Sequence, residues 1–246
     1  MKPFAIVLVF SAVLLLVVVF LSARVVHCHF GPALPLPRAK THAARYMWPA
    51  TVQGSAHAAA ARVAESLEAA GIEFWPMCGT LIGAMRHGGV IPWDNDVDLG
   101  VWAHDAHRVK AAILAHKDAA KISRLRPLLP GLKMGIMQIE YSDLKKVHVD
   151  VVSMQRVGDN IVQSSSIMRH MYPKDGFKAS ELLPLTTRAL SFGPTLRLPA
   201  PHDAQAATER IAPGFMTQAV VSCNHAAYMN PVGSWFLRKR KFKWPL

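Results

Sequence analysis

Three aspartates, Asp94, Asp96 and Asp98, stand at alternate positions in the stretch I-P-W-D-N-D-V-D-L-G. With Val97 and Leu99 interleaved, this is a strand pattern, and a period of two puts all three carboxylates on one face. Same-face neighbours on a strand lie roughly 6.8 Å apart. At an effective dielectric near 20, each neighbouring pair then repels by about 2 kcal/mol. No Lys or Arg falls between Arg86 and Arg108 to relieve the row. The chemistry that fits is a hard divalent cation with oxygen ligands, so Asp94, Asp96 and Asp98 are candidate ligands for Mg²⁺ or Mn²⁺. A solvated acidic loop would account for the charge, but not for its apolar company (Val90, Ile91, Trp93, Val97, Leu99, Val101). A calcium-binding helix–loop–helix would need glycine where Leu99 stands, and Pro92 breaks the entering helix.

Upstream, Gly79-Thr80 ends an apolar run and opens a short segment, Leu81 to Arg86, that reads as one or two helical turns. A small residue and a hydroxyl at a helix start present backbone N–H groups to a phosphate. Arg86 adds a guanidinium fork for the same phosphates, and Gly88-Gly89 turns the chain back into the aspartate strand. Trp93 is a candidate wall of a donor pocket. Asn95 is a candidate donor contact whose parity points it away from the ligand face. Downstream, alternation in V-H-V-D-V-V places His148 and Asp150 on one face of a further strand.

The run C-G-T-L-I-G-A-M-R-H-G-G-V-I-P-W-D-N-D-V-D-L-G resembles the signature of the LicD/fukutin family of the nucleotidyltransferase-fold superfamily, nearest its fukutin-related members. The segments K-M-G-I-M-Q-I-E-Y-S…V-H-V-D-V and F-K-A-S-E-L-L-P-L-T-T-R-A-L-S-F-G are similar to later stretches of the same family. The resemblance implies an α+β fold, a nucleotidyltransferase-like mixed sheet flanked by helices. It implies a metal-dependent transfer of a phospho-alditol, ribitol 5-phosphate foremost, from a CDP-linked donor to a glycan or glycoprotein hydroxyl, with CMP released. A phosphocholine or glycerol-phosphate transferase, or an inactive glycan-binding relative, is the alternative. Asp150 is expected to complete the acidic centre as the proton acceptor, and Gln218 to contact the donor near the end of the domain. The spaced cysteines of a zinc-bearing loop are absent, so no zinc is expected.

The elements that must hold these residues are legible in outline. Ala56 to Ala70 reads as a helix with Ser55 as N-cap and Gly71 as its stop, followed by a buried strand at Ile72–Met77. Asp105 to Ala119 reads as a second helix and Pro127–Gly131 as a turn. Met134–Tyr141 and Val147–Met154 read as a hairpin that carries Asp150.

With 246 residues, 51% of them hydrophobic and 18% charged, the chain can bury one good-sized core. Its net charge of +12 invites a nucleic-acid partner. The basic residues are thinly spread, however, except in a C-terminal group (Arg238, Lys239, Arg240, Lys241, Lys243) with no nucleic-acid-binding motif, so none is expected. Cys28, Cys78 and Cys223 form no metal or disulfide framework. Residues 4–23 are almost unbroken apolar sequence, long enough for a membrane-spanning signal anchor rather than a cleaved signal peptide. The expected layout is an anchor at 1–23, a proline-rich stem at 24–40 and a catalytic domain at 41–246 with a basic tail. The family resemblance implies a single-pass type II protein of the Golgi or ER membrane with its catalytic domain lumenal, a homo-oligomer being left open.

Overall fold

The computed structural model describes residues 34–35, 47–128, 134–221 and 240–243. The chain divides into two compact units, Met47–Met216 and a second made of Met1–Tyr46 with Thr217–Leu246. In the second unit, β1 (Leu34–Pro35) pairs in parallel with β12 (Arg240–Lys243), which pairs antiparallel with β11 (Gln218–Val221). The apolar run at 4–23, the rest of the stem, Cys28 and Cys223 lie outside the described residues. Among the described residues no helix is long and apolar enough to cross a membrane.

The larger unit begins with helix α1 (Ala50–Ala69), then β2 (Phe74–Pro76), α2 (Cys78–His87) and β3 (Asp96–Trp102). Next come α3 (Val109–Ala115), β4 (Ile122–Pro127), β5 (Ile136–Tyr141) and β6 (His148–Val157). The remainder is β7 (Asn160–Gln163), α4 (Ser166–Met171), β8 (Phe177–Lys178), α5 (Ala179–Leu182), β9 (Thr186–Phe192), β10 (Leu196–Ala200) and α6 (Ala204–Ile211). The main sheet runs β2-β3-β6-β5-β4, with β7 and β8 continuing from β6. It is mixed, since β3 and β6 are parallel while the other pairs are antiparallel. The expectation of an α+β fold with a mixed sheet flanked by helices is therefore met.

Two departures from the sequence reading have local causes. Helix α1 starts at Ala50 rather than after Ser55, because Pro49 caps it and the Ser55 hydroxyl donates back to the Thr51 carbonyl at 2.9 Å. Gly71, with φ of 63°, ends the turn after it as expected. The helix expected from Asp105 to Ala119 is confined to Val109–Ala115, since residues 103–108 form turns held by Asp105 and Arg108.

The parallel pair β3–β6 is the spine. Val97, Leu99, Val149 and Val151 are buried on one face, and α1 packs against both strands and against α3. Further along the other face, Val152 and Met154 join Trp75, Leu81, Ile136, Met168, Phe177 and Ala207 in a core beneath α2, α4, α5 and α6. Gly100 is needed opposite Trp75 of the antiparallel neighbour β2, because a methyl there would sit 2.5 Å from the Trp75 Nε1.

One histidine fastens α1 to the turn that precedes β3. The His57 Nε2 accepts the Val90 N–H at 3.1 Å, and its ring lies so close to Gly89 and Gly193 that neither tolerates a Cβ. Accepting that bond requires the neutral ring, and burial lowers the pKa of His57 below 6.5. A depressed histidine contributes stability that is complete above pH 6.5 and is lost as pH falls below it toward the folded-state value. His57→Ala is expected to cost about 2–3 kcal/mol, since it leaves a buried N–H unpaired, and to flatten the melting-temperature profile between pH 7 and 5. An unchanged profile would reject this role.

Candidate active site

The acidic residues gather where β3 and β6 begin. Asp96 and Asp98 lie on the half-exposed face of β3 while Val97 and Leu99 are buried. The parallel register sets Asp96 beside His148 and Asp98 beside Asp150, and the antiparallel register sets Gln138 beside Asp150. A polar row thus crosses three strands on one face.

Asp94 departs from the expected pattern. It stands before β3, in a turn closed by its N–H on the Ile91 carbonyl at 2.8 Å. Pro92 occupies the second position of that turn, which its fixed φ favours, and this stops the strand from extending back to Asp94. The turn folds the Asp94 side chain onto the row, so that its carboxylate and that of Asp96 are within hydrogen-bonding contact. Asp94 also accepts the Asn95 N–H at 3.0 Å and presses on Gly79, where a Cβ would come within 2.8 Å of Oδ2. Helix α2 therefore meets the carboxylates at its first turn, and glycine is the residue that permits the approach.

Thr80 makes a contact that its sequence context does not indicate. It is buried, and its hydroxyl oxygen accepts the Asp98 N–H at 2.7 Å, which ties the start of α2 to β3. Arg86 donates to the Phe215 carbonyl and the His87 ring, each at 2.8 Å, and lies over Trp93. Burial lowers its pKa to about 10, so it remains charged. Trp93 is 1% exposed and packs edge-on to His87, and so belongs to the core rather than to a pocket wall. Asn95 is also buried, and its amide donates to the Lys146 carbonyl at 2.6 Å, anchoring the turn before β6. Gln218 stands in β11 opposite Lys243, in the unit that does not carry the acidic row.

Electrostatics follow from the crowding. Burial, then the neighbouring carboxylates, push Asp96 and Asp98 well above the ordinary carboxylate range. Asp150 is raised by burial and pulled partly back by His148 and by the Gln138 amide. The His148 Nε2 lies 3.9 Å from both Asp96 and Asp150, too far for strong pairing. Gln138 donates to Asp150 at 3.3 Å, and Arg124 fixes that orientation by donating to the Gln138 Oε1 at 3.1 Å. Arg124 is held in turn by Glu140 at 2.7 Å.

Among the described residues, no three His, Cys, Asp or Glu side chains form a ready-made metal cage. The arrangement suits magnesium-like ions nonetheless, since these bind through one or two carboxylates and take the rest of their shell from water and substrate phosphates. The touching carboxylates of Asp94 and Asp96, with Asp98 next along, provide that oxygen set.

Three contributors escaped the sequence reading: Gln138, Arg124 and Asp175. The strand alternation of Met134–Tyr141 was visible, but the register pairing Gln138 with Asp150 was not. Asp175 lies in the loop between α4 and β8, and its charge adds to the causes that raise Asp98.

A family model described as LicD/FKTN/FKRP, nucleotidyltransferase domain, matches residues 71–203, just over half of the chain and including the whole acidic row. An uncharacterized protein of Rickettsia prowazekii is 26% identical over 172 residues, covering 70% of this chain and 58% of that protein. The ribitol 5-phosphate transferase FKRP of Homo sapiens is 35% identical over 85 residues, 35% of this chain and 17% of the human one. The chain thus spans under two thirds of either relative. With the matched segment carrying the carboxylates, their register and the glycine that admits Asp94, the chain belongs to the LicD/FKTN/FKRP family through its nucleotidyltransferase domain.

Proposed function

We propose that this protein is a glycan phosphotransferase that moves a phospho-alditol from a CDP-linked donor to a sugar hydroxyl and releases CMP. Ribitol 5-phosphate is the first choice of cargo, by similarity to the human ribitol 5-phosphate transferase. The observation that carries the reading is the β3–β6 register, which sets Asp98 beside Asp150 with the Asp94–Asp96 pair adjoining.

Asp94, Asp96 and Asp98 would hold Mg²⁺ or Mn²⁺, which supplies charge neutralisation for the diphosphate. The chain's own residues do the rest. The first turn of α2, brought to the carboxylates by Gly79 and Thr80, offers backbone N–H groups to the diphosphate. Asp150, held by Gln138 with its raised proton affinity, accepts the proton of the acceptor hydroxyl. The hydroxyl oxygen forms a bond to the distal phosphorus, the phosphoanhydride bond breaks, and CMP departs with the electron pair.

The test is a panel of CDP-ribitol, CDP-glycerol and CDP-choline presented to the full chain with Mn²⁺ or Mg²⁺ and a glycan acceptor, reading released CMP. Acceptor-dependent release from CDP-ribitol is expected. Release from CDP-choline alone would reassign the cargo, and no release from any donor would overturn the transferase reading.

A further inference from the structure

The start of β6 leaves a gap beside Asp150 whose edges are fixed from three strands. Alternation puts His148 and Asp150 on the face that carries Asp96 and Asp98, and the parallel register sets His148 beside Asp96. The His148 Nε2 lies 3.9 Å from the Oδ2 of Asp96 and 3.9 Å from the Oδ2 of Asp150. Neither separation is short enough for a hydrogen bond. Each is the span that one bridging oxygen fills when it stands about 2.8 Å from both partners. The side chains of His148 and Asp150 are 18% and 13% exposed, so the gap between them is open to a ligand.

The two oxygens of Asp150 are not equivalent. Its Oδ1 accepts the Gln138 amide N–H at 3.3 Å. That amide is kept from turning over, because its own oxygen accepts from Arg124 at 3.1 Å and a reversed amide would set N–H against guanidinium. Oδ1 is therefore occupied from β5, and Oδ2 is the oxygen left facing His148. The backbone fixes the imidazole from the other side. The His148 N–H meets the Asn95 carbonyl at 3.4 Å, and the Asn95 amide donates to the Lys146 carbonyl at 2.6 Å, which staples the start of β6 to the turn before β3.

We propose that His148 is a catalytic residue that holds the acceptor hydroxyl against Asp150. The hydroxyl oxygen occupies the gap, accepting the Nε2–H of His148 while its own O–H donates to the Asp150 Oδ2. One lone pair is then left to meet the distal phosphorus. As the O–P bond forms, the proton passes to Oδ2 and the electron pair of the phosphoanhydride bond leaves with CMP. His148 ends the step with the proton it began with, so its work is to aim the attacking oxygen. The second gap borders Asp96, a carboxylate assigned above to the cation, which gives the acceptor the Asp150 side. The inference rests on the transferase reading and adds to it the residue that receives the acceptor.

The experiment compares His148→Phe and His148→Gln with wild type in the full chain. One readout is CMP release with the CDP donor that wild type turns over and methyl glycosides as acceptor probes; the other is the melting-temperature shift produced by Mn²⁺ alone. Phenylalanine keeps the ring and removes the donor, so kcat/KM for the acceptor should fall about a hundredfold. The donor KM should move less than threefold, and the Mn²⁺ shift should stay at the wild-type size. Glutamine carries an amide N–H close to the position of Nε2 and should recover the acceptor kcat/KM to within tenfold of wild type. A wild-type acceptor kcat/KM in His148→Phe would overturn the proposal. Loss of the Mn²⁺ shift in that variant would overturn it as well, by making His148 a cation ligand. Equal impairment in both variants would reject the hydrogen bond as the cause. Should His148→Phe not fold, His148→Asn, whose amide falls short of the gap, must show the same acceptor-specific loss, and wild-type kinetics there rejects the idea. If wild-type protein releases no CMP from any donor, the transferase reading falls and this assignment with it; active wild type beside an equally active His148→Phe removes this assignment alone.

Discussion

Replacing Asp98 by asparagine should lower transfer about a thousandfold or more and, in the same protein, raise the stability of the metal-free state. The two effects have one origin. Burial first, then Asp150 across the parallel register and the field of Asp94 and Asp175, disfavour the ionised form of Asp98. Its folded-state pKa is raised, so the folded protein binds this proton more tightly than the unfolded chain. Stability from this group is then fully present at low pH and is lost as pH rises from about 4 through the folded-state value. At neutral pH asparagine removes that penalty, and relief of one neighbouring repulsion is worth about 2 kcal/mol. Asparagine nearly preserves shape, so the gain should appear as a higher melting temperature at pH 7.5 that shrinks toward pH 4. The loss of activity reflects the removal of a charged oxygen ligand where the diphosphate must be neutralised. Catalytic sites commonly exchange stability for function in this way. An Asp98→Asn protein that is both active and no more stable than wild type would refute the assignment of the row as a functional centre.

Mn²⁺ or Mg²⁺ should stabilise the wild-type protein without any donor, and Asp94→Asn or Asp96→Asn should abolish the response. Burial and the Asp94 carboxylate within hydrogen-bonding contact hold the Asp96 carboxyl well above the ordinary carboxylate range. A cation relieves the repulsion only in the folded state, so binding is linked to folding. At a hundred times the dissociation constant the gain is about 2.7 kcal/mol, which for a unit of this size corresponds to roughly 5–10 °C in melting temperature. The shift should persist when NaCl replaces an equal ionic strength of buffer salt, because general screening cannot substitute for coordination. A shift of the same size in both asparagine variants would place the ion elsewhere and remove the metal from the proposed reaction.

The sequence alone specified which residues carry the charge and which strands deliver it. The alternation D-V-D-L set Asp96 and Asp98 on one face and buried Val97 and Leu99 on the other, and H-V-D-V did the same for His148 and Asp150. Periodicity is a local property, so a short run of residues determines it without reference to the rest of the chain. The same logic placed Gly79 at a helix start and made the family resemblance visible.

Tertiary structure decided what local pattern does not encode, namely the partner of each side chain. The sequence offers Arg86 as a fork for phosphates, Trp93 as a pocket wall and Asn95 as a donor contact, but it does not name their partners in the fold. In the fold Arg86 is committed to the Phe215 carbonyl, 129 residues away, and Asn95 to the Lys146 carbonyl, 51 residues away. Conversely, Gln138 and Asp175 carry no local signature. They belong to the site because strand register brings one beside Asp150, while Arg210 of α6 holds the loop that puts the other within the field of Asp98. Which strand lies beside which, and which loop crosses a sheet face, depends on burying the whole core at once. Free energy summed over distant contacts makes that choice, so the carboxylates could be read from the sequence while the residues that hold them in place could not.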